Sequence, residues 1–377
     1  MGLKGNKVKI FVSPNRPNLR ISVIKLCKDS ALDSLMWIVD MVEENCIETP
    51  KTLVFCNSTK DIALLISYLL FRLGKKAFVP VTTNNMEDCV IGIYHSLTWP
   101  NYKERVLRDM KSFGKKRVVL ATSALSMGVN FSDVRYVVHW GPARNILDHH
   151  QQSGRAGRDG RESDVVVFYY GQQLSQCEPE VKEFVKSDHC LRVASYRSLD
   201  PDIQPSEPGH DCCSNCKITC FCSGNTCNAP VLPFSKDNNS GNSESSNNET
   251  LSRPVNSDDK EDLKAALIEI KDEGKELMFG NTFSMELIED ILERSNHIFT
   301  LHDLMNTCPV FSICHALKVL EIFSDIFEDI SGLEETIIFF QQHQLPGLEQ
   351  QTFYQNYIGY FDSADSDEST SSDELDS

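Results

Sequence analysis

Arg117-Val-Val-Leu-Ala-Thr-Ser-Ala-Leu-Ser-Met-Gly-Val-Asn-Phe-Ser-Asp-Val-Arg-Tyr-Val-Val-His139 begins as a short apolar run, passes through a polar turn, and becomes apolar again from Tyr136 to Trp140. This reads as strand, turn, strand. Upstream, Lys51-Thr-Leu-Val-Phe-Cys-Asn-Ser58 is another apolar run with a polar end. Thr59 to Arg72 follows it, with Ile62, Leu65, Ile66, Leu69 and Leu70 at helical spacing. Ile91-Gly-Ile-Tyr-His-Ser96 and Tyr102 to Phe113 repeat the pair, with Val106, Leu107 and Met110 on one helix face. Strands alternating with helices predict an α/β lobe on a parallel sheet, whose ligands gather at the carboxyl ends of the strands. Thr122 and Ser123 lie at such an end.

Gln151-Gln-Ser-Gly-Arg-Ala-Gly-Arg-Asp-Gly160 adds chemistry to that frame. Its two arginines are permanently charged and fork onto phosphate oxygens, and its glycines let the backbone approach an anion closely. Together, Ala121 to Asp133 and Gln151 to Gly160 resemble motifs V and VI of superfamily 2 helicases, specifically the RecQ family of DNA helicases. The spacing of the two motifs and Arg16-Pro-Asn-Leu-Arg20 are also similar, and the resemblance covers about residues 14 to 222.

The resemblance implies the second RecA-like lobe of an ATP-dependent helicase that moves 3′ to 5′ on single-stranded or forked DNA. Asn57 and Ser58 take the place of motif IV and, with Thr122, are expected to touch DNA phosphates. Arg155 and Arg158 are expected to project into the ATP cleft, with Arg158 as the arginine finger and Gln151 coupling ATP to DNA. Gly128 and Asn130 complete the nucleotide side. Asn130 stands where the family usually has Asp, and Ser126 where it usually has Gly. His95 falls at a family-typical position, although a lone histidine at a strand end is more often structural than catalytic. DNA repair or recombination in the nucleus, with no membrane partner, is the setting the resemblance implies.

A motor of this family also needs a phosphate-cradling loop and an acidic strand end for magnesium. No G-x-x-x-x-G-K-[ST] or DEAH-like box occurs, and the Gly-Lys pairs at Gly74, Gly114 and Gly274 lack a glycine five residues before them. The chain starts where a RecQ first lobe would have ended. The expectation is therefore a second lobe without its first, using ATP and Mg2+ only with that lobe supplied in cis or trans, and inactive alone. The alternative is a DNA- or partner-binding module derived from a helicase.

Half of the 14 cysteines lie between Cys190 and Cys227. Closely spaced thiols on tight turns suit a tetrahedral zinc ion or a disulfide knot, and the absence of a secretory signal favours zinc. The RecQ zinc-binding subdomain is similar, and implies Cys190, Cys213, Cys216 and Cys220 as ligands, with Cys212 and Cys222 in reserve.

Charge divides the chain. The formal net charge is −17, made of about +5 over residues 1–230 and about −22 beyond them. The basic part suits DNA backbone and the acidic part repels it. The expected organisation is an entry segment (1–30), the RecA-like lobe (31–176), a zinc-binding subdomain (177–230), a polar linker (231–262), a helical domain (263–350) and an acidic disordered tail (351–377). Within the helical domain, Leu263 to Ile270, Met285 to Leu292 and Ala316 to Phe327 carry helical apolar spacing, and Thr300-Leu-His-Asp303 reads as a helix entry.

Overall fold

The computed structural model describes residues 12–27, 31–83, 86–126, 129–224, 226–235, 252–273, 283–311 and 313–330, with isolated residues as far as 338. It divides into two compact units, one of residues 1–62 and 91–243, the other of 63–90 and 244–377.

The first unit is built on strands β1 (Leu19–Lys25), β2 (Lys51–Cys56), β3 (Ile91–Tyr94), β4 (Val118–Ala121), β5 (Val134–Trp140) and β6 (Ser163–Tyr169). They form one sheet in the order β1-β6-β5-β2-β4-β3, and every pairing is parallel. β2, β4 and β6 are buried along their whole length, as strands covered on both faces must be. Each buried Val, Leu, Ile or Phe contributes about 1.5–3 kcal/mol, so the continuous apolar runs fix the sheet as a core element. α1 (Met36–Asn45), α3 (Pro100–Lys111) and α4 (Ile146–Ser153) connect the strands.

The sequence reading placed β2, β3, β4, β5 and α3 within a few residues of their observed bounds. It left Leu19–Lys25 in an entry segment, whereas this stretch is an edge strand that pairs with β6 from Leu19↔Ser163 to Lys25↔Tyr169. That pairing joins residues far apart in sequence, which periodicity cannot register.

α5 (Pro179–Lys186), α6 (Leu191–Tyr196), α7 (Gly209–Cys212) and α8 (Ser214–Ile218) carry the cysteine-rich region. It is anchored to β1: Ile21 bridges Cys213, and Ile21, Phe184, Leu191, Tyr196, Cys212 and Cys213 share one apolar cluster.

α2 (Thr59–Leu73) was expected to belong to the lobe, but from Ala63 onward its residues fall in the second unit. There Leu64 packs against a core formed by α9 (Ser257–Glu273), α10 (Met285–Arg294), α11 (Leu301–Thr307) and α12 (Ile313–Phe327). α9 begins at Ser257, inside the stretch read as linker. Thr300 does cap α11, its hydroxyl accepting from Asp303 N at 3.1 Å. Arg253 is buried among Phe299, Phe323 and Phe327 and pairs with Asp329 at 3.1 Å. Residues 236–251 of the linker and the acidic tail lie outside the described residues. Among the described residues, no helix is long and apolar enough to cross a membrane.

Three histidines of the first unit, His95, His139 and His149, are buried. Burial, reinforced by the Lys103 charge, holds His95 down to about 4. Burial takes His139 to about 3 and, with His139 and His150 alongside, pushes His149 well below the usual range. Between pH 6.5 and 4 the unfolded imidazoles therefore bind protons that the folded ones refuse, so folding stability falls as pH drops through that window. At pH 5 this amounts to on the order of 2 kcal/mol for a group such as His139. Trp37, Trp99 and Trp140 all lie in this unit, so urea unfolding followed by tryptophan fluorescence reports on it. The midpoint should fall from pH 7 to pH 5, and fall less in His139→Gln; equal losses in the two proteins would refute the assignment.

Candidate functional site

Because all six strands run the same way, the sheet has a carboxyl rim and an amino rim, and the site residues divide between them. Asn57 follows β2, His95 follows β3 and Thr122 follows β4, three neighbouring strands, so these residues line the carboxyl rim. Asn57 is exposed and its Nδ2 donates to Pro142 O at 2.9 Å, which leaves the second amide N–H available. The Ser58 hydroxyl donates to Asp61 Oδ2 at 2.7 Å and accepts from Asp61 N at 3.1 Å. It therefore serves as a helix cap for α2. Thr122 is partly exposed, and its N–H donates to Tyr94 O at 3.2 Å. His95 is buried, its N–H bonded to Thr98 Oγ1, which is a structural setting.

The Gln151–Gly160 segment instead turns back to the amino rim. Gly157 N donates to Val134 O and Asp159 N to Ser132 O, both at 2.9 Å, at the start of β5. The two arginines differ sharply in setting. Arg155 is buried and donates to Val129 O. Arg158 is exposed, its Nε donating to Gly154 O at 2.9 Å and its NH1 to Asn130 Oδ1 at 2.6 Å. Gln151 is exposed at the end of α4, and Gly128 lies outside the described residues.

A third guanidinium joins them. Arg16, part of the Arg16–Arg20 signature but given no role from sequence, donates to Gly154 O at 2.9 Å and to Gly157 O at 2.5 Å. Burial first, and then the Arg158 charge, lower the affinity of both Arg16 and Arg155 for their protons. The larger part of that lowering is desolvation; only the smaller part, from Arg158, reflects like charge that a bound anion would relieve.

Two thiol clusters occur where one was expected. Cys190, Cys212, Cys213 and Cys216 bring their sulfurs within 4.8 Å of one another, with the Cys190 and Cys212 sulfurs 3.6 Å apart. Cys212, not Cys220, is the fourth member. Adjacent Cys212 and Cys213 reach the same point because Cys212 ends α7 and Cys213 caps α8 in extended conformation. Hydrogen bonds from Cys190 and then Cys212 hold the Cys213 thiol far below its ordinary range. Four sulfurs converging around one stabilised thiolate fit a tetrahedral soft metal ion. Cys220 joins His210, Cys222 and Cys227 instead.

Residues 30–160 match the family model described as the helicase conserved C-terminal domain. An ATP-dependent DNA helicase Q-like 2 of Arabidopsis thaliana is 30% identical over 56% of this chain and 29% of its own length. A putative ATP-dependent RNA helicase of Acanthamoeba polyphaga mimivirus is 31% identical over 57% of this chain and 38% of its own. The ATP-dependent DNA helicase RecQ of Haemophilus influenzae is 27% identical over 42% and 29% respectively. The chain thus spans about a third of the length of these relatives.

The arginine turn depends on glycine at one point more than another. Gly157 has φ +55°, and a Cβ there would stand 2.5 Å from Asn18 Nδ2 and 2.8 Å from Arg161 O. Gly160 has φ +82° but open space around it. Gly160→Ala should cost about 1 kcal/mol of backbone strain, and Gly157→Ala measurably more because neighbours must move as well. Urea unfolding of the two variants provides the comparison, and equal costs would contradict the packing described.

Proposed function

We propose that residues 30–160, which match the helicase conserved C-terminal domain, form the second lobe of a RecQ-like helicase and serve ATP-dependent, 3′ to 5′ unwinding of single-stranded or forked DNA together with a first RecA-like lobe. One observation carries the reading: Arg16 and Arg158 both donate to Gly154 O, Arg155 of the same segment is held on Val129 O, and of the three only Arg158 is exposed to an outside anion.

The three arginines have different tasks. Arg158 is the finger, stabilising charge on a transferring phosphoryl group. Arg155, tied to Val129 O, and Arg16, tied to Gly154 O and Gly157 O, are positioning residues that fix the turn and raise its positive field. Asn130 orients Arg158, and Gln151 faces the coupling route to DNA. Hydrolysis of ATP bound with Mg2+ would supply the free energy for unwinding, and the groups that would hold the nucleotide belong to the first lobe.

On the carboxyl rim, Asn57 through its free N–H and Thr122 through its hydroxyl take DNA phosphates, while Ser58 holds the helix start in place. Such contacts position the strand without reading sequence. The thiols of Cys190, Cys212, Cys213 and Cys216 hold one structural zinc ion that fixes α6, α7 and α8 against β1. A nuclear role in DNA repair or recombination is consistent with this chemistry.

The test is DNA-stimulated phosphate release. The chain alone should show no motor-like turnover, because no phosphate loop occurs in its sequence. Fused to a RecQ-type first lobe it should turn over, and Arg158→Ala should reduce the rate by on the order of 10³ to 10⁵. Robust turnover by the chain alone, lost in Arg158→Ala, would refute the division of labour between lobes. Failure of the fusion with DNA binding intact would favour the binding-module alternative.

DNA binding gives a separate check. Affinity for single-stranded DNA should be weak and sequence-tolerant, falling with log salt at a slope of about −0.7 per phosphate contacted. Removing residues 362–377, an alternation of Ser with Asp and Glu, should tighten it at low salt. An unchanged affinity would show that the acidic end does not oppose DNA.

A further inference from the structure

The displacement of Cys220 from its expected partners leaves a second group of metal-ligating side chains to explain. We propose that His210, Cys220, Cys222 and Cys227 form a second metal centre, distinct from the Cys190 cluster, that binds one zinc ion.

The spacing of the donor atoms carries the assignment. A tetrahedral ion with sulfur at about 2.3 Å and nitrogen at about 2.0 Å sets sulfur and nitrogen about 3.5 Å apart and two sulfurs about 3.8 Å apart. His210 Nδ1 lies 3.4 Å from Cys220 Sγ, 3.5 Å from Cys222 Sγ and 3.4 Å from Cys227 Sγ. The Cys222 and Cys227 sulfurs are 3.8 Å apart, and all four atoms fall within 4.8 Å of one another. A disulfide needs sulfurs at about 2.0 Å, so these thiols are gathered without being bonded.

The surroundings supply what a zinc histidine requires. The other ring nitrogen, Nε2, faces Asp211 Oδ1 at 3.5 Å, and a carboxylate on that side fixes the ring with Nδ1 toward the sulfurs. On binding, the thiol protons go to solvent. Three thiolates and one imidazole are a donor set for zinc rather than for magnesium or calcium.

The backbone brings the four residues together through two turns. α7 contributes His210 to this centre and Cys212 to the other, while α8 carries Cys216 and ends before Cys220. Ser223 N donates to Thr226 O at 3.0 Å around Gly224, whose φ of +83° reverses the chain and returns Cys227 to the ring of His210. Among the described residues of 220–227, the hydrogen bonds to α7 run from the cysteine thiols to His210. With an ion bound, the loop is clasped to the helix that supplies the first cluster. Cys222 is exposed, so this centre lies at the surface while Cys212 and Cys213 of the first are fully buried.

Elemental analysis of the intact purified chain tests the proposal. Two zinc ions per chain are expected. Cys222→Ser/Cys227→Ser should lower the count to one while leaving the tryptophan-monitored urea midpoint in place, since neither side chain lies in the core. Cys212→Ser/Cys216→Ser should remove the other ion, and cobalt(II) alone, loaded into that variant, should give tetrahedral d–d bands with thiolate charge transfer that His210→Ala shifts. One zinc per wild-type chain that is lost in Cys222→Ser/Cys227→Ser would uphold this centre and reject the metal reading of the Cys190 cluster. One zinc that survives Cys222→Ser/Cys227→Ser, or a Cys222–Cys227 disulfide in the freshly purified chain, would overturn the proposal.

Discussion

Arg192 is a fully buried guanidinium on which the geometry of the first unit depends. It donates to Asn15 Oδ1 at 2.7 Å, Arg16 O at 3.1 Å, Leu19 O, and Cys212 O at 3.3 Å. Burying such a charge costs several kcal/mol unless its donors are satisfied, so the acceptors must converge for the fold to persist. These acceptors come from the segment before β1, from the first residue of β1 and from the end of α7. One side chain thereby fixes the entry segment, the edge strand and the cysteine turn together. Arg16, whose carbonyl Arg192 holds, in turn carries the Gly154 and Gly157 carbonyls, so the arginine turn is shaped by a residue from the cysteine-rich region. The parallel sheet and its thiol module are thus one mechanical object.

Much of this could be read from the sequence where the signal was local. β2, β4 and β5 are apolar runs bounded by polar turns, and α3 shows its face through Val106 and Met110, so a short window was enough for each. What escaped depends on contacts between distant residues. Leu19–Lys25 resembles any short apolar stretch until β6 exists to pair with it. The apolar positions of α2 predicted a helix correctly but could not say which core would take Leu64.

The site residues divide in the same way. Residue type marked Arg155 and Arg158 as anion ligands, yet which of them reaches solvent depends on Val129 and Asn130, which the β4–β5 connection brings up from outside the arginine segment. The thiols show the limit most clearly. The resemblance to the RecQ zinc-binding subdomain grouped Cys220 with Cys213 and Cys216, whereas the extended backbone at Cys213 lets two adjacent cysteines face one centre and releases Cys220 to His210. A histidine ten residues upstream of a cysteine is not a spacing that singles out a ligand. The pair Cys220 and Cys222, followed by Cys227, was the available hint.

The two departures from the family pattern acquire physical content from the segment that joins the rims. Thr122 stands at the carboxyl rim and Asn130 beside the arginines at the amino rim, and the chain between them is short. Ser126, where glycine is usual, donates its hydroxyl to Ser123 O at 2.6 Å, a bond glycine cannot make, which stiffens the turn nearest Thr122. Asn130, where aspartate is usual, accepts from Arg158 as a neutral group. An aspartate would neutralise that guanidinium and hold it more tightly, since hydrogen bonds between ionised partners are roughly twice as strong as neutral ones. The amide still orients Arg158 but leaves its full positive charge facing outward. The chain is therefore firmer beside Thr122 at the carboxyl rim, and looser and more positive beside Arg158 at the amino rim, than glycine and aspartate at these positions would make it.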